Sequence, residues 1–291
     1  MSPRRFKQVD VFTRFPFLGN PVAVVLDAEG LSDPQMQRIA GWTNLSETTF
    51  VLPPTTPAAD YRLRIFTPRA ELPFAGHPTL GSAHAVLEAG IARARDGRLR
   101  QECGAGQVQI AIEAHTAARL WLESPPTRVA PVETTQLERL EQALGAPIER
   151  DPLPQRVAVG PVWLVARMAD AQRVGALTPD LAAIASLSAA LGLTGVVVFG
   201  LADDGLSAIH VRAFAPAHGV PEDPVCGSGN ISVAAFAART GWVKRIGSQY
   251  LARQGMQLDR DGRIALRIAD GGRQIWLGGD AVTSVDGMLR G

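Results

Sequence analysis

Arg64-Ile65-Phe66-Thr67-Pro68, followed by Glu71-Leu72-Pro73-Phe74-Ala75-Gly76, recurs later in the chain as Arg212-Ala213-Phe214-Ala215-Pro216 and Glu222-Asp223-Pro224-Val225-Cys226-Gly227. The order is kept, and the later copy carries three more residues between its two blocks, an insertion that a surface loop tolerates. Shared punctuation of this kind, spread over Tyr61–Glu88 and Ile209–Ala238, marks an internal duplication rather than a shared composition. The same alignment extends upstream, setting Asn44-Leu45-Ser46-Glu47 against Gly192-Leu193-Thr194-Gly195, each before a β-rich stretch, Thr48–Leu52 and Val196–Phe199. Before each of these lies a helix with a hydroxyl cap and an early proline, Ser32-Asp33-Pro34-Gln35 and Thr178-Pro179-Asp180; Ser32 and Gln35 stand at capping-box spacing.

Each half therefore reads as strand, strand, helix, strand, strand, glycine loop, helix. Val9–Phe12, Val22–Leu26, Gln35–Gly41, Thr48–Leu52 and Arg62–Thr67 supply the first copy, and the Ala-rich Thr79–Glu88 and Ile231–Ala238 are the helices after the loops. Strands without regular long crossovers predict an α+β sheet wrapped on a helix in each half. The Pro125-Pro126 interruption near Ser124–Thr127 divides the chain into residues 1–124 and 125–291, with the last residues allowed to pack back on the N-terminal half.

Composition sets the class. The 291 residues suit two domains, and 46% hydrophobic with 20% charged residues is a globular balance. A formal net charge of +1 gives no field toward phosphate backbones or anionic lipid, so neither nucleic acid nor membrane is expected as a partner. Cys103 and Cys226 are too few for a disulfide framework or a thiolate zinc site, and no apolar run approaches the roughly 20 residues of a membrane span. With no signal-peptide pattern, a cytoplasmic protein is expected.

Both glycine loops precede a helix, whose first backbone N–H groups lack intrahelical acceptors and favour an anion. Two such termini aimed at one cleft would suit a carboxylate or a developing enolate, although glycines before helices also serve plain tight turns. Cys103-Gly104-Ala105-Gly106 precedes an alternating, strand-like Val108–Ile112, so it is not a dinucleotide fingerprint, and no nucleotide cofactor is implied. His84, His115, His210 and His218 show no ligand spacing, so no metal is expected.

The differences between the copies single out the chemistry. Glu47 stands where the other half has Gly195, flanked by Asn44, Ser46 and Thr48, which can hydrogen-bond a carboxylate. Partial burial there would raise its pKa toward neutrality and suit a general acid/base, whereas at the surface it would be one more solvated strand-end glutamate. His77 against Ser228, Asp223 against Leu72 and Cys226 against Ala75 are the other asymmetries. Cys226 at a helix start is either a base of lowered pKa or a small buried hydrophobe, and Ala75 opposes a two-thiol racemase.

Gly19-Asn20-Pro21, Asn44–Phe50 (NLSETTF), Pro73–Pro78 (PFAGHP) and Glu222–Asn230 (EDPVCGSGN) resemble the phenazine-biosynthesis F-like (PhzF-like) isomerases. The resemblance implies the diaminopimelate-epimerase fold, two pseudo-symmetric domains each with a barrel-like sheet around a central helix and the active site in the cleft between them. It also implies cofactor-independent proton transfer by Glu47 on a small carboxylic acid such as a dihydro-hydroxyanthranilate. Carried over by motif position, His77 and Asp223 hold the substrate, while Gly76, Gly227 and Ser228 contact its carboxylate; Asn20, Ser46 and Cys226 are secondary candidates. A homodimer follows from the resemblance alone. Two other readings stay open: an epimerase using Glu47 and Cys226, and a small-acid binding protein without chemistry.

Overall fold

The computed structural model describes residues 3–113 and 119–290 and divides into two compact units, Met1–Leu122 with Gly278–Gly291, and Glu123–Leu277. His115 lies outside the described residues. The first unit contains β1 (Arg4–Val11), β2 (Asn20–Val25), α1 (Asp33–Thr43), β3 (Thr48–Leu52), β4 (Tyr61–Phe66), β5 (Glu71–Leu72), α2 (Gly76–Glu88), β6 (Arg98–Cys103), β7 (Gly106–Glu113) and β8 (Arg119–Glu123). The second runs through β9 (Arg128–Pro131), α3 (Thr135–Leu144), β10 (Gln155–Ala158), β11 (Val162–Arg167), α4 (Ala171–Gly175), α5 (Leu181–Leu191), β12 (Gly195–Leu201), β13 (Ile209–Ala215), β14 (Val220–Asp223), α6 (Gly227–Thr240), α7 (Val243–Ile246), β15 (Gln249–Gln254), β16 (Gly262–Ala269) and β17 (Gln274–Gly279). The final strand, β18 (Ala281–Leu289), belongs to the first unit and pairs antiparallel with β1.

The strand ladders repeat. In the first unit β2 is parallel to β3, β3 antiparallel to β4, β4 parallel to β6 and β6 antiparallel to β7. The second has the same series in β11, β12, β13, β15 and β16. The short strands β5 and β14, which the sequence pattern had placed in loops, pair antiparallel with β4 and β13. Helices α2 and α6 are buried on nearly every face, the signature of a helix enclosed by sheet rather than laid on it. Small side chains allow this: a Cβ at Gly81 would stand 2.4 Å from Val22 Cγ1. The fold is α+β, a barrel-like sheet around a central helix in each unit.

The residues that are identical between the copies form one device in each. Arg64 makes a two-armed ion pair with Glu71 through Nε and Nη2, both 2.7 Å, and lies 5.1 Å over the Phe66 ring. Arg212 does the same with Glu222, both 2.8 Å, and lies 5.0 Å over Phe214. The fork geometry of the guanidinium fits a carboxylate and an aromatic face at once, so each pair fastens the hairpin that leads into the glycine loop.

Helix boundaries differ from expectation in two places. The later cap is Asp180 rather than Thr178; its carboxylate accepts the N–H groups of Ala182 and Ala183, which a side chain two residues upstream does not reach. The helices after the loops begin at Gly76 and Gly227, so these glycines lie inside the first turn. In α1, Gln35 Oε1 accepts the Ser32 N–H at 2.8 Å, as the capping-box spacing predicts. Asn44 and Gly192, aligned in the duplication, both end their helices in the left-handed conformation. The Cys103–Gly106 stretch is a hairpin joining β6 and β7.

Gly195 has no room for any side chain: a Cβ would meet Phe214 O at 2.0 Å and Trp163 Cζ3 at 2.9 Å. Because β12 pairs with β13 beside Phe214, relief requires moving backbone. Gly195→Ala is expected to cost about 3 kcal/mol, the upper part of the overpacking range, read as a lower urea midpoint at unchanged slope.

Candidate active site

Glu47 sits between the left-handed end of α1 at Asn44 and the first residue of β3. Its carbonyl accepts the Ala23 N–H at 3.4 Å, which continues the parallel β2–β3 ladder back by one residue and fixes where the side chain leaves the backbone. The side chain is 16% exposed, and its Oε2, buried and without a hydrogen bond among the described residues, stands 3.5 Å from Nε2 of His77. Burial pushes the Glu47 carboxyl above the ordinary carboxylate range; a hydrogen bond from Ser46 opposes that shift without cancelling it.

Of the three expected partners of the carboxylate, only Ser46 serves. Thr48 is fully buried and its hydroxyl pairs with that of Thr43 at 2.6 Å, while Asn44 ends α1 through its left-handed backbone, its N–H on Ala40 O, and no hydrogen bond joins its side chain to Glu47 among the described residues. The reason is strand alternation: Thr48, next in the strand, points its side chain to the opposite face from Glu47. His77 is the second residue of α2, just after Gly76, and is 8% exposed. Asn20, the first residue of β2, is 2% exposed and paired in the β1 ladder opposite Val11.

In the second unit the loop is held by a side chain that the sequence reading did not single out. Gln254, at the end of β15 and fully buried, accepts the Cys226 N–H at 3.1 Å and the Asn230 amide at 2.9 Å, and donates to the Asp223 carbonyl at 2.8 Å. Gln101 plays a related part in the first unit, although two residues off in strand register, accepting from Tyr61 Oη at 2.9 Å and donating to Thr79 Oγ1 at 3.2 Å. The signal was present: Thr79 and Asn230 occupy matching places after the loops, and each copy has a glutamine in the strand that follows. Asp223 Oδ1 accepts the Val225 N–H at 3.1 Å, an Asx turn that sets the approach to α6.

Cys226 is the N-cap of α6, 2% exposed, with Sγ accepting the Gly229 N–H at 3.3 Å and lying 3.6 Å from Ser228 Oγ. Burial, reinforced by the nearby Asp223 charge, pushes the thiol well above the ordinary thiol range despite the bonds from Ser228 and Gly229. Of the two readings of this residue, the geometry favours the buried small hydrophobe. Cys226→Ser is expected to leave turnover within about threefold of the wild type, and Cys226 to resist alkylation at pH 8 while the partly exposed Cys103 reacts; counting labelled cysteines by mass spectrometry checks this.

Among the described residues nothing accepts the N–H groups of Gly227 and Ser228, so the first turn of α6 presents two donors and a hydroxyl. The unit in which Ser228 replaces His77 has Trp163 and Gly195 where the other has Val22 and Glu47, a donor-rich turn with no counterpart of Glu47. Among the described residues no group of three or more His, Cys, Asp or Glu is placed to hold a metal ion, and no helix is long and apolar enough to cross a membrane.

A sequence profile of the family described as phenazine biosynthesis-like protein matches residues 9–287. The chain therefore belongs to the phenazine biosynthesis-like (PhzF) family of isomerases. It is 38% identical to antisense-enhancing sequence 1 of Schizosaccharomyces pombe, across 99% of each chain. It is 34% identical to trans-2,3-dihydro-3-hydroxyanthranilate isomerase of Pseudomonas chlororaphis, across 97% of each. The crystal structure of a Bacillus anthracis PhzF-family protein superposes with a TM-score of 0.88 over the whole of both chains at 24% identity.

Proposed function

We propose that the chain is a cofactor-independent isomerase in which Glu47 removes a proton alpha or vinylogous to a carboxylate and returns it, itself or through a neighbour, at another carbon. The observation that carries this reading is the buried Glu47 carboxyl with an unbonded Oε2, 3.5 Å from His77 Nε2. A carboxyl whose pKa is raised by desolvation is a better base than an ordinary carboxylate and, once protonated, is still acid enough to give the proton back. His77 and Asp223 orient the substrate, with Gly76, Gly227 and Ser228 donating to its carboxylate, where negative charge grows as the proton leaves. The substrate class is a small cyclic or amino-substituted carboxylic acid; the relative from Pseudomonas chlororaphis is named for such a compound. A homodimer, from the family resemblance alone, and a cytoplasmic location complete the proposal.

The high thiol pKa of Cys226 speaks against its service as the second base of an epimerase. Deuterium uptake from deuterated water into trans-2,3-dihydro-3-hydroxyanthranilate and a panel of related acids, followed by NMR, tests the proposal. Uptake with a shifted double bond supports it. Uptake with inversion of configuration, or ligand binding without exchange, would replace it by the epimerase or the binding protein.

A further inference from the structure

Trp163 lies on β11 opposite Gly195, is 3% exposed, and its indole Nε1–H donates to Ser228 Oγ at 3.0 Å. An indole nitrogen donates and never accepts, so the direction of this hydrogen bond is fixed by chemistry. It occupies a lone pair of the serine oxygen and leaves the hydroxyl proton for another acceptor. The neighbour within reach in the protein is Cys226 Sγ at 3.6 Å, a weak acceptor that, as a thiol, can instead donate its S–H to the second lone pair of the serine oxygen. Beside that hydroxyl lie the unclaimed N–H groups of Gly227 and Ser228. The missing side chain at Gly195 is what makes room for the indole, whose Cζ3 comes within 2.9 Å of where a Cβ would be. The glycine, the tryptophan and the serine therefore form one construction.

From this geometry we propose that Trp163 is a positioning residue that turns Ser228 into a dedicated hydrogen-bond donor, and so makes the first turn of α6 select a carboxylate over a carboxamide. A carboxylate only accepts and takes the serine proton together with the two backbone N–H groups. A carboxamide brings an NH₂ group that needs an acceptor, and of the two lone pairs of Ser228 Oγ the indole has taken one while the Cys226 S–H, 3.6 Å away, faces the other. The inference rests on the substrate class proposed above and adds a residue and a selectivity to it.

The test measures dissociation constants of 3-hydroxyanthranilate and of its carboxamide, 2-amino-3-hydroxybenzamide, for the full-length wild type, Trp163→Phe, Ser228→Ala and the double variant. Phe keeps a ring in the Gly195 space and removes only the N–H. Trp163→Phe is expected to weaken the carboxylate about tenfold, the loss of one charge-assisted hydrogen bond, and to change the carboxamide less than twofold. The double variant is expected to bind the carboxylate no more weakly than Ser228→Ala. In ¹⁵N-labelled protein the indole cross-peak lost in Trp163→Phe is expected to shift on carboxylate binding, and to stay in place in Ser228→Ala. Equal weakening of both ligands by Trp163→Phe, additive effects of the two substitutions, or an unmoved indole signal would each overturn the proposal while leaving the isomerase reading intact. A wild type that binds neither ligand overturns this inference along with the substrate class, whereas Glu47 as the base is judged separately by deuterium exchange.

Discussion

Glu47→Gln is expected to fold at least as stably as the wild type at pH 7.5 and to exchange the substrate proton 10²–10⁴-fold more slowly, the usual worth of a positioned general acid/base. Glutamine keeps the shape of the side chain and removes its ability to take a proton. The stability half of the result follows from the raised pKa. The folded protein holds a proton on Glu47 at pH values where the unfolded chain, with an ordinary carboxyl near 4.5, has released it. Between those two pKa values the native state binds more protons, so stability falls as pH rises through that window and remains lower above it. The substitution should therefore be neutral below about pH 4 and stabilising at higher pH. Activity runs the other way: the base form is needed, so kcat/KM should rise with pH through a value above the ordinary glutamate range. Urea melts across pH and a pH–rate profile check both halves. Loss of exchange together with loss of stability at neutral pH would assign Glu47 a structural role instead.

The two Arg–Glu pairs should differ sharply in worth, although the sequence presents them as equivalents. In the second unit the Arg212 side chain is 6% and Glu222 10% exposed, and Arg212 Nη1 also donates to the carbonyls of Leu177 at 2.7 Å and Val174 at 3.3 Å. Arg212→Met would leave a nearly buried carboxylate and two carbonyls without partners, an effect expected at about 3–5 kcal/mol. In the first unit Glu71 is 42% exposed, and Asp33, which also meets Arg64, is 76% exposed. Water replaces the guanidinium there, so Arg64→Met should cost about 1 kcal/mol. Paired urea titrations of the two variants measure the contrast. Equal losses would mean that the guanidinium contributes through packing on Phe66 and Phe214 rather than through the charge it neutralises.

Much of the fold was legible because the duplication wrote it twice. Glycine, proline and cap residues act on their own few neighbours, so α1 capped by Ser32 and Gln35, the strand Thr48–Leu52 and, within a residue at each end, the strand expected at Arg62–Thr67 could be read locally, whereas Cys103–Gly106 was read only as preceding a strand and not as a hairpin. The short strands β5 and β14 were not legible, since two to four residues carry no periodicity. The Asp180 cap was missed because several side chains near a helix start compete, and backbone geometry chooses among them.

The sequence by itself determined the repeat, the order of its elements and the position, Glu47 against Gly195, at which the copies differ most in chemistry. Only the tertiary structure decided how that difference is expressed. Glu47 owes its shifted pKa to desolvation by surrounding residues and its neighbour His77 to a helix thirty positions downstream. Gly195 owes its identity first to the Phe214 carbonyl and then to the Trp163 ring, and the loop before α6 owes its shape to Gln254 from β15. Burial and hydrogen-bond partners are properties of segments brought together across the chain, and local spacing carries no information about which segments those are.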